Sequence, residues 1–246
     1  MTTNTDSTPL PEDDIKPLLM PRWLQSVLQG LIILTVPFVL VLGSVRLAMT
    51  EQFLDFEYQR PGFPDDLYGF STEDRLEYGP YGIEYILSNE DISFLGDLKI
   101  DGEPAFNPRE LQHMEDVQTV TRTAIQVLML TGGLFVFGFI LLIRKPQTRP
   151  LVFESLQRGA YFTFAVIAVL IVGVVLNWDY FFTQFHNTFF AEGTWQFSRS
   201  DTLIRLYPEQ FWQDASLFIG GLTFLGALLF IASPGIWRRL STSPDN

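Results

Sequence analysis

The sequence predicts an all-α membrane protein: four transmembrane helices carrying an extracytoplasmic cap of short helices and small hairpins. Its plainest sign is four stretches without a charged residue, 23–45, 123–143, 160–178 and 215–237. Each is long enough to cross the hydrocarbon core of a bilayer. The second sign is segregation. With 16 Lys and Arg against 28 Asp and Glu the formal charge is −12, yet the charges crowd between the apolar stretches instead of spreading through the chain. The third sign is where the basic residues fall. The connection between the second and third stretches holds Arg144, Lys145, Arg149 and Arg158 against one acid, Glu154. Arg238 and Arg239 follow the fourth stretch, and Lys16 and Arg22 precede the first. The positive-inside rule makes these flanks cytoplasmic. Both termini are then inside, and residues 46–122 and 179–214 face outward.

The elements follow in order. Residues 1–21 are polar, acidic and proline-rich and predict a disordered tail. Residues 22–240 form the membrane domain, and 241–246 a short second tail. The stretch 23–45 competes with a signal peptide, but its apolar run is too long and no small-x-small cleavage site follows. Pro37 within it is expected to kink the helix. In the first outer segment Ser71 opens the run Ser-Thr-Glu-Asp, which predicts a capped helix ending at Gly79-Pro80. Asp101-Gly102 is a two-residue hairpin signal, confined to an edge by Pro104. Asn107 as cap, Pro108 at the first helical position and Glu110 closing a capping box predict a helix that runs on into the second span. In the second outer segment a turn is expected at Glu192-Gly193. Its neighbours Phe189, Phe190, Trp195 and Phe197 suit the membrane–water interface as anchors.

Composition also narrows the function. No basic stripe is available to neutralise phosphates, which argues against a nucleic-acid partner. The chain has no cysteine, hence no disulfide, thiolate nucleophile, cysteine-ligated metal or acyl-thioester step. No metal ligand set and no cofactor are expected.

The chain has two histidines, His113 and His186, and both fall beside spans on the side assigned as outer. Glu110, His113 and Asp116 recur at helical spacing on one face, where a carboxylate one turn from an imidazole can accept its N–H and fix its tautomer. His186 lies in Phe-His-Asn-Thr-Phe-Phe (185–190), directly after the third span. A four-helix bundle can bring the two outer ends together.

The segments Glu-Leu-Gln-His-Met-Glu-Asp-Val (110–117), Phe-His-x-x-Phe-Phe (185–190) and Asp-Thr-Leu-Ile-Arg-Leu-Tyr-Pro-Glu (201–209) resemble a bacterial integral membrane family. Its characterised branch is the lipoprotein intramolecular transacylase, Lit. Tyr-Gly-Phe-Ser-Thr-Glu-Asp-Arg-Leu (68–76) resembles the family's first outer segment, so the likeness covers nearly the whole chain beyond the acidic tail. The resemblance implies a four-span fold with an extracytoplasmic cap. It implies a reaction on a lipoprotein whose N-terminal cysteine carries a diacylglyceryl group and a free α-amine. The sn-2 acyl chain moves to that amine and leaves a lyso-lipoprotein. Membrane lipids and such lipoproteins are the implied partners. His113, Asp116 and His186 are the implied catalytic residues, with Glu110, Arg109, Arg75, Trp195 and Asp201 in support.

Histidine suits that chemistry. An α-amine with a pKa of about 8 is mostly ammonium at neutral pH and needs a base of imidazole strength. Its attack on an ester needs a stabilised oxyanion and a proton for the departing alkoxide. With Asp116 as its evident partner, His113 is expected to be the general base. Two other readings stay open: a membrane protein using both histidines as haem or metal ligands, and a non-catalytic assembly or sensor protein that docks partners on its cap.

Overall fold

The computed structural model describes residues 20–242. The expected N-terminal tail up to residue 19, Lys16 with it, and Ser243 onward lie outside the described residues. In chain order the elements are α1 (Arg22–Ala48), α2 (Glu51–Gln59), α3 (Thr72–Leu87), α4 (Ser93–Gly96), β1 (Lys99–Ile100) and β2 (Glu103–Pro104). They continue with α5 (Pro108–Ile143), α6 (Arg149–Leu176), α7 (Trp178–Phe189), α8 (Thr202–Leu206) and α9 (Glu209–Thr242). Among the described residues four helices, α1, α5, α6 and α9, are long and apolar enough to cross a membrane. Side chains such as Met129, Leu130, Val175 and Leu229 stand exposed on their flanks, the outward apolar face of a bundle solvated by lipid. The chain is a multi-pass membrane protein.

Helix α1 is the hub, packed against α5, α6 and α9. Each partner brings a small residue to the contact. A methyl group on Gly138 would meet Ile32 at 3.2 Å, one on Gly159 would meet Val36 at 2.7 Å, and one on Gly226 would meet Leu40 at 2.8 Å. With lipid outside there is little hydrophobic gain in helix association, so close backbone approach supplies dispersion contact instead. Helix α1 stays continuous through Pro37.

The cap gathers α2, α3, α4 and α8 with the first turns of α5 and α9 around one apolar core, which includes Phe53, Leu54, Tyr85, Leu95, Leu206 and Phe211. The hairpin forms where expected. Strands β1 and β2 pair antiparallel around Asp101 at φ 54° and Gly102 at φ 87°, the two left-handed residues that such a turn requires. Helix α8 is the knot of the cap. Tyr58 Oη donates to the Leu206 carbonyl at 2.9 Å, Arg75 Nε to the Arg205 carbonyl at 2.9 Å, and Thr202 Oγ1 to the Ala105 carbonyl at 2.5 Å.

Three local expectations are corrected. Helix α3 opens with the Ser71–Asp74 capping box but does not stop at Gly79-Pro80; it runs to Leu87. Pro80 cannot donate to the preceding turn, and Tyr207 holds that turn from outside, donating its hydroxyl to the Gly79 carbonyl at 2.5 Å. The basic connection at 144–158 is only a short turn, because α6 already begins at Arg149. The third span ends at Leu176, with Asn177 capping a separate helix, α7. On α3, a methyl group added at Gly82 would fall inside contact distance of Tyr207 Oη. Gly82→Ala is therefore expected to lower cap stability by about 1–3 kcal/mol, read as a drop in melting midpoint in detergent. An unchanged midpoint would show that Tyr207 is not held there.

Candidate active site

The site begins with a helix start. Asn107 Oδ1 accepts from the amides of Arg109 and Glu110 at 3.0 and 3.1 Å, and Glu110 Oε2 accepts from the Asn107 amide at 2.8 Å. The capping box read from sequence is formed. It also reaches across the fold, since Glu110 Oε1 accepts from the Leu203 amide at 2.7 Å. This carboxylate, 1 % exposed, fixes the first turn of α5 against α8. Burial raises its pKa, against the pull of its amide bonds.

One turn further on is His113, buried at 8 % exposure. His186 comes to it from α7, and the two rings lie 6.4 Å apart at 27° to each other. Aromatic side chains enclose the pair. Phe190 lies 4.8 Å from the His113 ring and 5.6 Å from His186, and Phe197 lies 5.4 Å from His113. On His186, Phe182 stacks at 4.0 Å and Trp195 at 4.7 Å. Trp195 is steadied by donating its Nε1 proton to Asn187 Oδ1 at 3.2 Å.

The enclosure decides the protonation state. Burial, helped by the neighbouring His186, pushes His113 down to about 4. Burial also lowers His186, opposed by its bond to the Phe182 carbonyl. Both rings are neutral at pH 7. The 2.8 Å contact from His186 Nδ1 to the Phe182 carbonyl fixes the tautomer, because a carbonyl only accepts. Nδ1 carries the proton, and Nε2 keeps the lone pair. His113 Nδ1 is buried without any hydrogen-bond partner, an arrangement that costs energy in a resting protein.

Other residues named from the sequence fall into two groups. Arg109 touches the enclosure, donating Nη2 to the Gln196 carbonyl at 2.6 Å with its guanidinium 5.7 Å from the Phe197 ring. Asp201 accepts from the Ser198 amide at 2.8 Å and so shapes the chain between α7 and α8. Arg75 sits elsewhere in the cap, donating to the Pro64 and Arg205 carbonyls. Asp116 makes no hydrogen bond to His113, whose Nδ1 is left without a partner. The expected pairing is not formed; the ring is turned into the aromatic enclosure. Phe190, Trp195 and Phe197, expected as interface anchors, line the site as well. Phe182 and Asn187 went unnoticed in the sequence. The signal was the spacing Phe182, His186, Phe190, one helical turn at each step.

A family model described as the lipoprotein intramolecular transacylase Lit matches residues 30–212. The chain belongs to the Lit family. A protein of Aquifex aeolicus (strain VF5), described as uncharacterized, is 30% identical over 202 residues, covering 82% of this chain and 90% of its own. The fold matches the crystal structure of Lit from Bacillus cereus with a TM-score of 0.73 at 19% identity, over 90% of this chain and 97% of that one. Two variants of that protein, with a histidine changed to arginine or to alanine, match with TM-scores of 0.63 and 0.65 at 18% and 17% identity. They cover 90% and 91% of this chain, and 96% and 97% of theirs.

In this Lit-family site Asp116 is the clearest test of which contacts matter. Asp116→Asn keeps the shape and removes a charge that the imidazole does not bond. Near-normal turnover and an unshifted pH–rate profile are expected. A loss beyond about tenfold, or a moved pH limb, would return Asp116 to the site.

Proposed function

We propose that this Lit-family protein is an O-to-N acyltransferase that moves the sn-2 acyl chain of a diacylglyceryl-cysteine lipoprotein to its N-terminal amine. The observation that carries this reading is a pair of neutral, desolvated imidazoles close enough to serve one reacting group, one of them with its tautomer already set. In the proposed reaction His186 Nε2 takes a proton from the attacking amine. The roles expected from sequence are thereby exchanged, because the ring with a fixed tautomer is His186. The amine nitrogen bonds the ester carbonyl carbon, and His113 donates to the developing oxyanion. Collapse breaks the carbon–oxygen bond of the sn-2 ester, and the proton held by His186 passes to the departing alkoxide. An amide and a glyceryl hydroxyl result. Amine and ester share one molecule, so positioning supplies much of the acceleration.

The same reading puts the cap and both histidines on the extracytoplasmic side, since Arg144, Lys145, Arg149 and Arg158 sit at the opposite end of the bundle. Export-dependent reporters are expected to be active when fused at Gly102 or Gly193, and cytoplasmic ones at Gln147. Mass spectrometry of lipoprotein N-termini, from cells with and without this gene, tests the reaction. N-acyl, lyso-glyceryl peptides are expected only with it. Identical peptides in both would overturn the assignment.

A further inference from the structure

Both imidazoles touch one segment, His113 buried under it and His186 half-buried beside it. Residues 190–201, between α7 and α8, lay Phe190 and Phe197 on His113 and Trp195 on His186. At 8 % exposure His113 is out of reach of a substrate that must bring both an ester and an amine to it. The segment is joined to the helices it covers by few polar ties. Trp195 bonds Asn187 on α7, and Arg109 on α5 holds the Gln196 carbonyl while lying over the Phe197 ring. Arg109 stands in a first turn made rigid by the Asn107–Glu110 capping box, is exposed, and forms no ion pair among the described residues. Its one anchored contact is the segment that covers the site.

We propose that Arg109 is a positioning residue that ties residues 190–201 down as a cover over the two histidines, and that release of this tie admits the substrate. The tie is one charge-assisted hydrogen bond to a backbone carbonyl and one cation–aromatic contact. It is strong enough to bias the segment toward closure and weak enough to exchange during turnover. The cover also keeps water from the ester while the amine attacks. The proposal rests on the acyl-transfer reading only in taking the histidines as the destination. Whether the segment covers them is tested without turnover.

The experiment uses full-length protein in detergent, purified without a polyhistidine tag, so that the two histidines are the whole signal. Histidine-labelled nuclear magnetic resonance follows each ring against pH, and diethyl pyrocarbonate reports access to it. Burial and His186 from α7 are what lower His113, and the nearest cation across the Phe197 ring is Arg109 of its own helix. Arg109→Ala is expected to speed modification of His113 about tenfold and to move its titration from about 4 toward that of a hydrated imidazole. Removing a positive charge alone would also ease protonation. Phe197→Ala, which keeps that charge, is therefore expected to give the same two changes, and it carries the test if Arg109→Ala does not fold. Arg109→Lys retains a donor and a cation and is expected to recover most of the protection. Wild-type reactivity and titration of His113 in both alanine variants would overturn the cover. Wild-type protection of His113 in alanine variants of a protein that does carry out acyl transfer would overturn the cover alone, whereas protected histidines in a wild-type protein without acyl transfer would overturn the reaction alone.

Discussion

His186→Ala and His113→Ala are each expected to lower formation of the N-acyl, lyso-glyceryl product by about 10²–10⁴-fold, the range over which a positioned acid or base acts. The two losses should not add, because both rings serve one transition state. Membrane insertion should survive, since neither histidine lies in an apolar span. His113 is buried, however, and His113→Gln keeps more of its volume as a second variant. Acid–base logic gives the pH dependence a definite sign. Burial holds both imidazoles below their usual range, so they are already free bases at neutral pH. The substrate amine, with a pKa of about 8, then sets the rising limb, and the rate should climb through neutrality. A limb near 6.5 instead would show a histidine that titrates as if hydrated, contrary to the enclosure. Full activity in either alanine variant, measured with a purified diacylglyceryl peptide, would end the two-histidine mechanism.

The second large effect belongs to Glu110. Its carboxylate accepts from the Asn107 and Leu203 amides, so Glu110→Ala strips one half-buried and one buried donor of their partner at once. An unsatisfied buried amide costs about 1–3 kcal/mol, and a loss of roughly 3–5 kcal/mol is expected for the pair. Because α8 also ties α2 and α3 through Leu206 and Arg205, the damage should spread through the cap rather than stay at one turn. A melting midpoint lowered by several degrees should therefore accompany loss of activity, unlike His186→Ala, which loses activity alone. Glu110→Gln retains one acceptor and should fall between them. A stable, inactive Glu110→Ala protein would instead move Glu110 into the chemistry.

The sequence by itself determined what depends on solvent and on near neighbours. The spans were legible because a bilayer imposes composition on every residue that crosses it. The Ser71–Asp74 and Asn107–Glu110 boxes and the Asp101-Gly102 turn were legible because their bonds close within three residues. Where a distant group intervened, local rules failed. Gly79-Pro80 reads as a stop, yet the helix continues there, with the Tyr207 hydroxyl from the far end of the chain donating to the Gly79 carbonyl. The break at Asn177 was hidden because Trp178 extends the charge-free run while starting a new helix. Asp116 lies one turn from His113 and suggests a partner, yet the ring belongs to an enclosure built from residues more than 70 positions later. Only the tertiary structure decided that His113 is the buried ring with an unpartnered Nδ1, because Phe190 and Phe197, which pack on it, come from a segment far along the chain. Residue types limit which chemistry is available; burial, which depends on distant segments, sets how each group is used.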